Sequence, residues 1–444
     1  MKLHFRLGVA LVGALGLAVL GESSVRALSL EPTETVTVDA KDAFLIRPVL
    51  DQFNVDERMK KNVEFWVTVY SQYTTRQGIV HDAKYIDHIY EILDLRGGAS
   101  GATIKGAKRK WKSVLLSLHH KQKELASSTP PKLTPDEEKV VQLFKDIHEP
   151  NKFLNAAHRK RLRFQLGQKD QFIEALKQSG QYISLMEEVF KKERMPVELT
   201  RLPFVESSFN LKARSKVGAS GIWQFMRSTA RLFVRMDAAV DERNDPIRAT
   251  EAAAKLLKAN YDSLGNWALA VTAYNHGRKG MMRAVRTIGS GELEDLTSEY
   301  RSRSFGFASS NFFAELLAAI EVEKNSEKYF GKIQKNAPLL FIEVKIPDFI
   351  EFSTLIEHLN VEKSRIHDMN PGLNETVLDG RLLVPKGYYF RVPVESGKTP
   401  EATLTYFWDR YAAIPSTSKQ KTQRALKYDT KQKSVKHRLK NRAG

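Results

Sequence analysis

Cysteine is absent from all 444 residues. Its absence excludes disulfides, thiolate zinc sites and a cysteine nucleophile, and leaves no thiol for an N-terminal lipid anchor. Long apolar runs are scarce as well. The one present spans residues 7–20, short of the roughly 20 residues a membrane-spanning helix needs. Lys2 and Arg6 precede it and small residues around Val25 and Ala27 follow, so residues 1–27 read as a secretory signal. The expectation is an exported chain, in a periplasm or cell envelope, that is not a lipoprotein.

Acids are the scarcer charge, 52 Asp+Glu against 70 Lys+Arg, for a net charge of +18. Such an excess points to an anionic partner. Much of it is terminal: residues 416–444 carry ten Lys+Arg and one acid, Asp429. So dense a run with few apolar residues predicts a disordered tail in electrostatic contact with an anionic wall or membrane. The secretory signal argues against nucleic acid as the partner. Elsewhere, 42% apolar residues supply a sizeable core.

Helical spacing dominates the rest. Val63, Trp66, Val67 and Tyr70 recur at i, i+3, i+4 and i+7, and Ile86, Ile89, Tyr90 and Leu93 repeat the pattern, predicting two helices. Residues 97–108 superficially suggest a phosphate loop. After Gly101-x4-Gly106, however, Ala107-Lys108-Arg109 stands where Lys-Ser/Thr is required, so a solvated linker is expected there. Residues 127–131 form a second linker, and Pro135 with Asp136 and Glu137 starts a helix. From Asp170 to Tyr329 the pattern is helical throughout. Asp245 and Pro246 begin one helix and Gly265 ends it, while residues 267–274 are apolar nearly all round and must be buried.

Chemistry concentrates in three places. Glu206 stands among Leu202, Pro203, Val205 and Phe209, where burial would raise its pKa and keep a proton available for general acid catalysis. Ser215, Gly218, Ala219 and the block Gly221-Ile222-Trp223-Gln224-Phe225-Met226 combine turn-forming glycines with an amide and flat rings. Ala273-Tyr274-Asn275-His276-Gly277 closes the buried helix, a position suited to lining a cleft.

In order and spacing these motifs resemble the lytic murein transglycosylases with a goose-type lysozyme fold, most closely the membrane-bound D group, over roughly residues 196–322. The resemblance implies a mainly α chain with a lysozyme-like helical catalytic domain. It implies cleavage of the β-1,4 bond between N-acetylmuramic acid and N-acetylglucosamine in peptidoglycan, without metal or cofactor. In that family one Glu protonates the leaving oxygen and then takes a proton from the C6 hydroxyl, which closes a 1,6-anhydro ring. The substrate supplies the nucleophiles that most glycosidases take from a second carboxylate. Carried over by motif, Glu206 is the acid and base; Ser207 supports it; Ser215, Gln224, Tyr274 and Asn275 contact sugar, and Phe225 and Met226 form an apolar wall. Trp223 reads as packing. A hydrolase of the same fold and a non-catalytic wall-binding protein are the alternatives.

Three departures stand out. Arg227 replaces the usual Pro after Met226, and His276 replaces a small residue. Phe312 stands where the family has a Tyr that bonds the Glu, so Tyr274 or Tyr300 is expected to substitute, or packing alone to hold it. Further on, a strand at residues 341–344, two helices within 354–369 and a strand at 381–385 look like a degenerate LysM module, either glycan-binding or purely structural. The expected organisation is signal 1–27, helical N-terminal region with linkers 28–169, catalytic domain 170–335, small α+β LysM-like module 336–396, and basic, disordered tail 397–444.

Overall fold

In the computed structural model Phe53 and residues 56–98, 101–127, 131–416 and 418 are described. The expected signal and nearly all of the residue 416–444 tail lie outside them. Among the described residues no helix is long and apolar enough to cross a membrane. The described residues divide into two units: those up to 236 with 241–339, and 237–240 with those from 340 onward.

In the larger unit, helix α1 (Lys60–Ser71) buries Val63, Trp66, Val67 and Tyr70, as their spacing requires. The next stripe behaves differently. Strand β1 (Gln77–Asp82) pairs antiparallel with β2 (Ile89–Asp94), so Ile89, Tyr90 and Leu93 lie on a strand and not on the expected helix. A short run rich in Ile and Tyr satisfies either period, and β-branched and aromatic side chains favour the pleated surface. The stretch at 97–108 is corrected in the opposite sense. Residues from Gly101 onward belong to helix α2 (Gly101–Lys121), whose Trp111, Leu115 and Leu118 form one buried face. Helix α3 (Pro135–Leu143) starts as expected, with a capping box in which the Glu137 N–H donates to Thr134 Oγ1 at 3.3 Å and the Thr134 N–H to the Glu137 carboxylate at 2.8 Å. Strand β3 (Leu162–Leu166) completes a sheet of order β2-β1-β3. The N-terminal region is therefore helix and sheet together.

Helices α4 (Lys169–Ser179), α5 (Ile183–Lys192), α6 (Leu202–Ser207), α7 (Pro246–Leu264), α8 (Trp267–His276) and α9 (Phe307–Lys324) follow. The Asp245 carboxylate accepts from the N–H groups of Ile247 and Arg248 at 2.9 and 3.0 Å, and left-handed Gly265 ends α7. Asn266 caps α8 through the Leu269 N–H at 2.8 Å. Helix α9 is apolar on nearly every side, so burial is its stable environment. It packs against α1, α6 and α8 and forms the axis around which the other elements gather.

The smaller unit pairs β4 (Phe341–Lys345) antiparallel with β5 (Tyr389–Pro393), with helices α10 (Phe352–Leu359) and α11 (Lys363–Met369) between them in the chain. The closing strand lies beyond the expected 381–385, where only Val384 makes an isolated bridge, to Ile350. Pro385 lacks an N–H and the left-handed Gly387 turns the chain, so pairing resumes only after them. Residues 400–413, expected within the disordered tail, form helix α12 (Pro400–Ala413). Thr399 caps it, and Phe407 and Tyr411 bury themselves in the unit's core, enough apolar surface to order the segment.

Candidate active site

Helix α6 is six residues long and buries Leu202, Pro203 and Phe204. That burial fixes the direction in which its last turn presents Glu206. Ser208 and Phe209 then turn the chain sharply, with φ of 51° and 54°. Two consecutive non-glycine residues in the left-handed region are costly and persist only where packing enforces them. Phe209 supplies that packing through Phe204, edge to face at 4.8 Å.

The Glu206 carboxyl is half-buried, and burial first, then the nearby Glu315 carboxyl, push its pKa up to about 8. Glu315 projects from α9, and burial raises it to about 8 as well. Neither carboxyl has a hydrogen bond or ion pair among the described residues. Sequence reading missed Glu315, because only the packing of α6 on α9 brings it near. A cleft of about 750 Å³ opens beside Glu206 and Ser207, and its far wall is α4, through Asp170, Gln171, Glu174 and Gln178. These four carried no motif. Asp170 is fixed by the Thr75 N–H at 2.9 Å, and that bonding holds its pKa below the usual range.

The expected substrate-contacting residues divide by what their polar atoms already do. Ser207 Oγ donates to the Ile222 carbonyl at 2.9 Å, joining α6 to the 221–226 loop instead of reaching the Glu206 carboxyl. Ser215 Oγ accepts from the Ala219 N–H at 2.9 Å and closes a turn. Gln224, left-handed at φ 47°, donates its side-chain amide to the carbonyls of Gly221 at 2.8 Å and Ala213 at 3.3 Å, leaving its own Oε1 available. Phe225 is buried and meets the Tyr274 ring edge to face at 5.8 Å, whereas Met226 is 41% exposed. Trp223 is fully buried, bonded to Thr250 and stacked on Phe190, a packing residue as expected. Asn275 accepts from Ser309 Oγ at 2.9 Å and its side chain lies in the open.

Neither proposed replacement for the tyrosine missing at Phe312 takes that role. The Tyr274 hydroxyl donates to the Trp223 carbonyl at 2.8 Å, although the phenol is close enough to Glu206 for burial and that charge to raise its pKa well above normal. Tyr300 is buried against Phe305, and His276 packs edge to face on the same ring at 5.1 Å. Glu206 is held by packing. Among the described residues no three His, Asp or Glu side chains converge as a metal ion would require.

A proton-retaining carboxyl on a cleft, flanked by a backbone-wired loop and the end of a buried helix, is an arrangement suited to glycosidic bond cleavage. Residues 185–296, which contain Glu206, the 221–226 loop and the end of α8 but neither Glu315 nor the α4 wall, match the family described as Transglycosylase SLT domain. The resemblance to lytic murein transglycosylases read from the motifs thus holds. The chain is 28% identical over 205 residues to membrane-bound lytic murein transglycosylase D of Escherichia coli K12, covering 44% of this chain and 44% of that protein. It is 35% identical over 100 residues to a putative tributyltin chloride resistance protein of an Alteromonas species, covering 22% of this chain and 48% of that one. The chain therefore spans about half the length of the curated relatives it matches. Among solved structures, the 70 kDa soluble lytic transglycosylase of Escherichia coli matches at 14% identity and a TM-score of 0.29, over 64% of this chain and 49% of that one. An inactive mutant of a Pseudomonas aeruginosa lytic transglycosylase matches at 14% and 0.28, over 66% and 39%.

Proposed function

We propose that this chain is a peptidoglycan lytic transglycosylase that cleaves the β-1,4 bond between N-acetylmuramic acid and N-acetylglucosamine and leaves 1,6-anhydro ends. The observation that carries the reading is the Glu206 carboxyl, raised to about 8 by burial at the edge of a cleft. At neutral pH it holds the proton that the leaving oxygen needs. Once that proton has gone, the carboxylate sits in surroundings that favour taking one back, and the C6 hydroxyl of the sugar supplies it. Ring closure by that hydroxyl displaces the anchimeric N-acetyl oxygen from C1, so no water enters the step. The exposed Asn275 and Met226 side chains and the Gln224 Oε1 are the groups left to meet sugar. Ser207, Ser215, Phe225 and Tyr274 act by shaping the cleft.

Glu315 bears on the hydrolase alternative. A retaining hydrolase needs its second carboxylate ionised as nucleophile, and an inverting one needs it ionised as base. Burial keeps Glu315 protonated up to about 8, which suits neither. Glu315 ionises over the same range as Glu206, and its charged form there is a like neighbour that holds the Glu206 pKa high. Glu315→Gln removes that neighbour, so the Glu206 pKa falls and the alkaline limb of the rate profile should move to lower pH by about one unit. Rates on solubilised glycan strands between pH 5 and 9 check this; an unmoved limb means the two groups do not interact.

The wider reading is an exported enzyme of the periplasm or cell envelope, with the smaller unit as a LysM-like module and the basic residues past 415 in electrostatic contact with anionic wall or membrane. Mass spectrometry of digested sacculi tests the core of it. The proposal expects muropeptides with 1,6-anhydro ends; reducing ends would assign a hydrolase, and binding of sacculi without release of soluble fragments would assign a scaffold.

A further inference from the structure

The larger unit holds a second polar cluster that the cleavage chemistry leaves unused. Arg163 from β3 and His81 from β1 meet at the start of α9, and Lys108 from α2 lies near enough for its charge to act on His81 and for that of Arg163 to act on it. The Arg163 guanidinium carbon lies 4.0 Å over the ring of Phe307, the first residue of α9. The His81 ring lies against Phe65 at 4.6 Å and Phe307 at 5.7 Å. Neither Lys108 nor Arg163 has a hydrogen bond or ion pair among the described residues, and Arg163 Nε and His81 Nε2 are buried without a partner.

The acids of the neighbourhood are already committed. Asp82 accepts two bonds from Arg161 at 2.8 and 2.7 Å. Glu149 is taken by Lys84 at 3.2 Å and Tyr85 at 3.1 Å, and Glu91 by Trp111 at 2.6 Å. Two half-buried cations are thus held together with no counter-charge. Burial lowers the pKa of both, and the Arg163 charge lowers that of Lys108 further. Burial, then the charges of Arg163 and Lys108, also depress His81, to about 4, so the imidazole is neutral; its Nδ1 already meets the Asp82 carbonyl at 3.0 Å. Half-buried like charges without a partner are unfavourable, and an anion between them would relieve the repulsion. The N-terminus of the 18-residue α9 adds partial positive charge at the same place. Its first turn also meets the end of α8, where Ser309 donates to Asn275.

We propose that Lys108 and Arg163 form a carboxylate-binding subsite beside the first turn of α9, which itself bonds to Asn275 at the end of α8, and that it takes a free carboxylate of a peptide stem on the glycan strand. The planar guanidinium matches a carboxylate by paired N–H donors, and the ammonium adds a point charge. The identity of the carboxylate's carrier rests on the proposed function, since stems occur only if the substrate is peptidoglycan.

The test is calorimetric titration of the full chain with a free stem tetrapeptide, the same peptide with its carboxylates amidated, and inorganic phosphate. Wild type should bind the tetrapeptide and lose it on amidation or at high salt. The paired substitution Lys108→Gln with Arg163→Gln should weaken binding about tenfold or more, as expected for lost charge-assisted bonds. Its melting temperature should not fall, because the repulsion is gone; should it fall, Lys108→Gln alone must still weaken the tetrapeptide. Equal binding by wild type and variant, undiminished binding of the amidated peptide, or binding of phosphate in preference to the peptide each overturns the proposal. Peptide binding is read without glycan cleavage, so the two readings fail separately. A chain that binds the peptide but leaves strands uncut keeps the subsite and loses the proposed function, and one that cuts strands while ignoring the peptide does the reverse.

Discussion

Replacing Glu206 by Gln is expected to lower the rate of glycan-strand cleavage by about a thousandfold, within the range a positioned general acid supplies. The amide has nearly the same size and can occupy the same packing, but it neither gives nor takes a proton. Stability should move the other way. Folded Glu206 holds its proton up to about pH 8, whereas the unfolded carboxyl releases it near 4.5, so the folded state binds more protons through that window. Stability therefore declines as pH rises from about 4.5 to 8, and Glu315 contributes in the same sense. Glu206→Gln removes its share of the decline. Its melting temperature should match wild type at pH 4 and exceed it at pH 8.5. Turnover assays and thermal melts at the two pH values check both parts, and retention of most activity would remove Glu206 from the chemistry.

The largest structural effect is expected at Gly221. Its φ is +75°, and a Cβ there would lie 1.8 Å from the Arg243 carbonyl oxygen. That carbonyl has little room to retreat. The buried Arg243 guanidinium grips Asp241 at 2.7 and 2.9 Å and donates to the carbonyls of Gly218 at 2.7 Å and Phe225 at 3.1 Å. Gly221→Ala should thus cost about 3 kcal/mol or more through clash and strain combined, and displace the loop beside Glu206. Gly218→Ala is the control. It shares a positive φ, +92°, but has no atom within 4 Å of the added Cβ, so only the conformational cost of about 1 kcal/mol applies. Denaturant melts of both variants measure the difference; similar losses would mean that conformation and not crowding sets the cost at Gly221.

Legibility followed the distance over which a signal acts. Helices α7 and α8 could be read because their signals are local, Asp245-Pro246 and Gly265 at the ends of α7 and the apolar run of residues 267–274 in α8. Glu206 could be read because its apolar neighbours adjoin it in the chain. The β1-β2-β3 sheet was missed because Ile86, Ile89, Tyr90 and Leu93 satisfy a helical period by coincidence, and the pairing of β1 with β3 joins segments far apart in sequence. Residues past Gly101 were missed because small residues at the start of α2 conceal a face whose first large side chain is Trp111. Glu315 was illegible for a related reason: nothing in the residues around it refers to α6. The residue types of Ser207, Ser215 and Gln224 cannot show whether a hydroxyl or amide will meet a sugar or a backbone group. In the fold the backbone takes most of them.

That wiring has a thermodynamic consequence for any strand that enters the cleft. The loop from Ala213 to Phe225 is tied by its own amides, by Gln224, by Ser207 and by Arg243 before a ligand arrives. Its conformational freedom is lost once, during folding, and not at each encounter, so association need not be slowed by ordering the host. The heat and entropy of binding will then report on the ligand, its released water and its own stiffening, with little contribution from the protein.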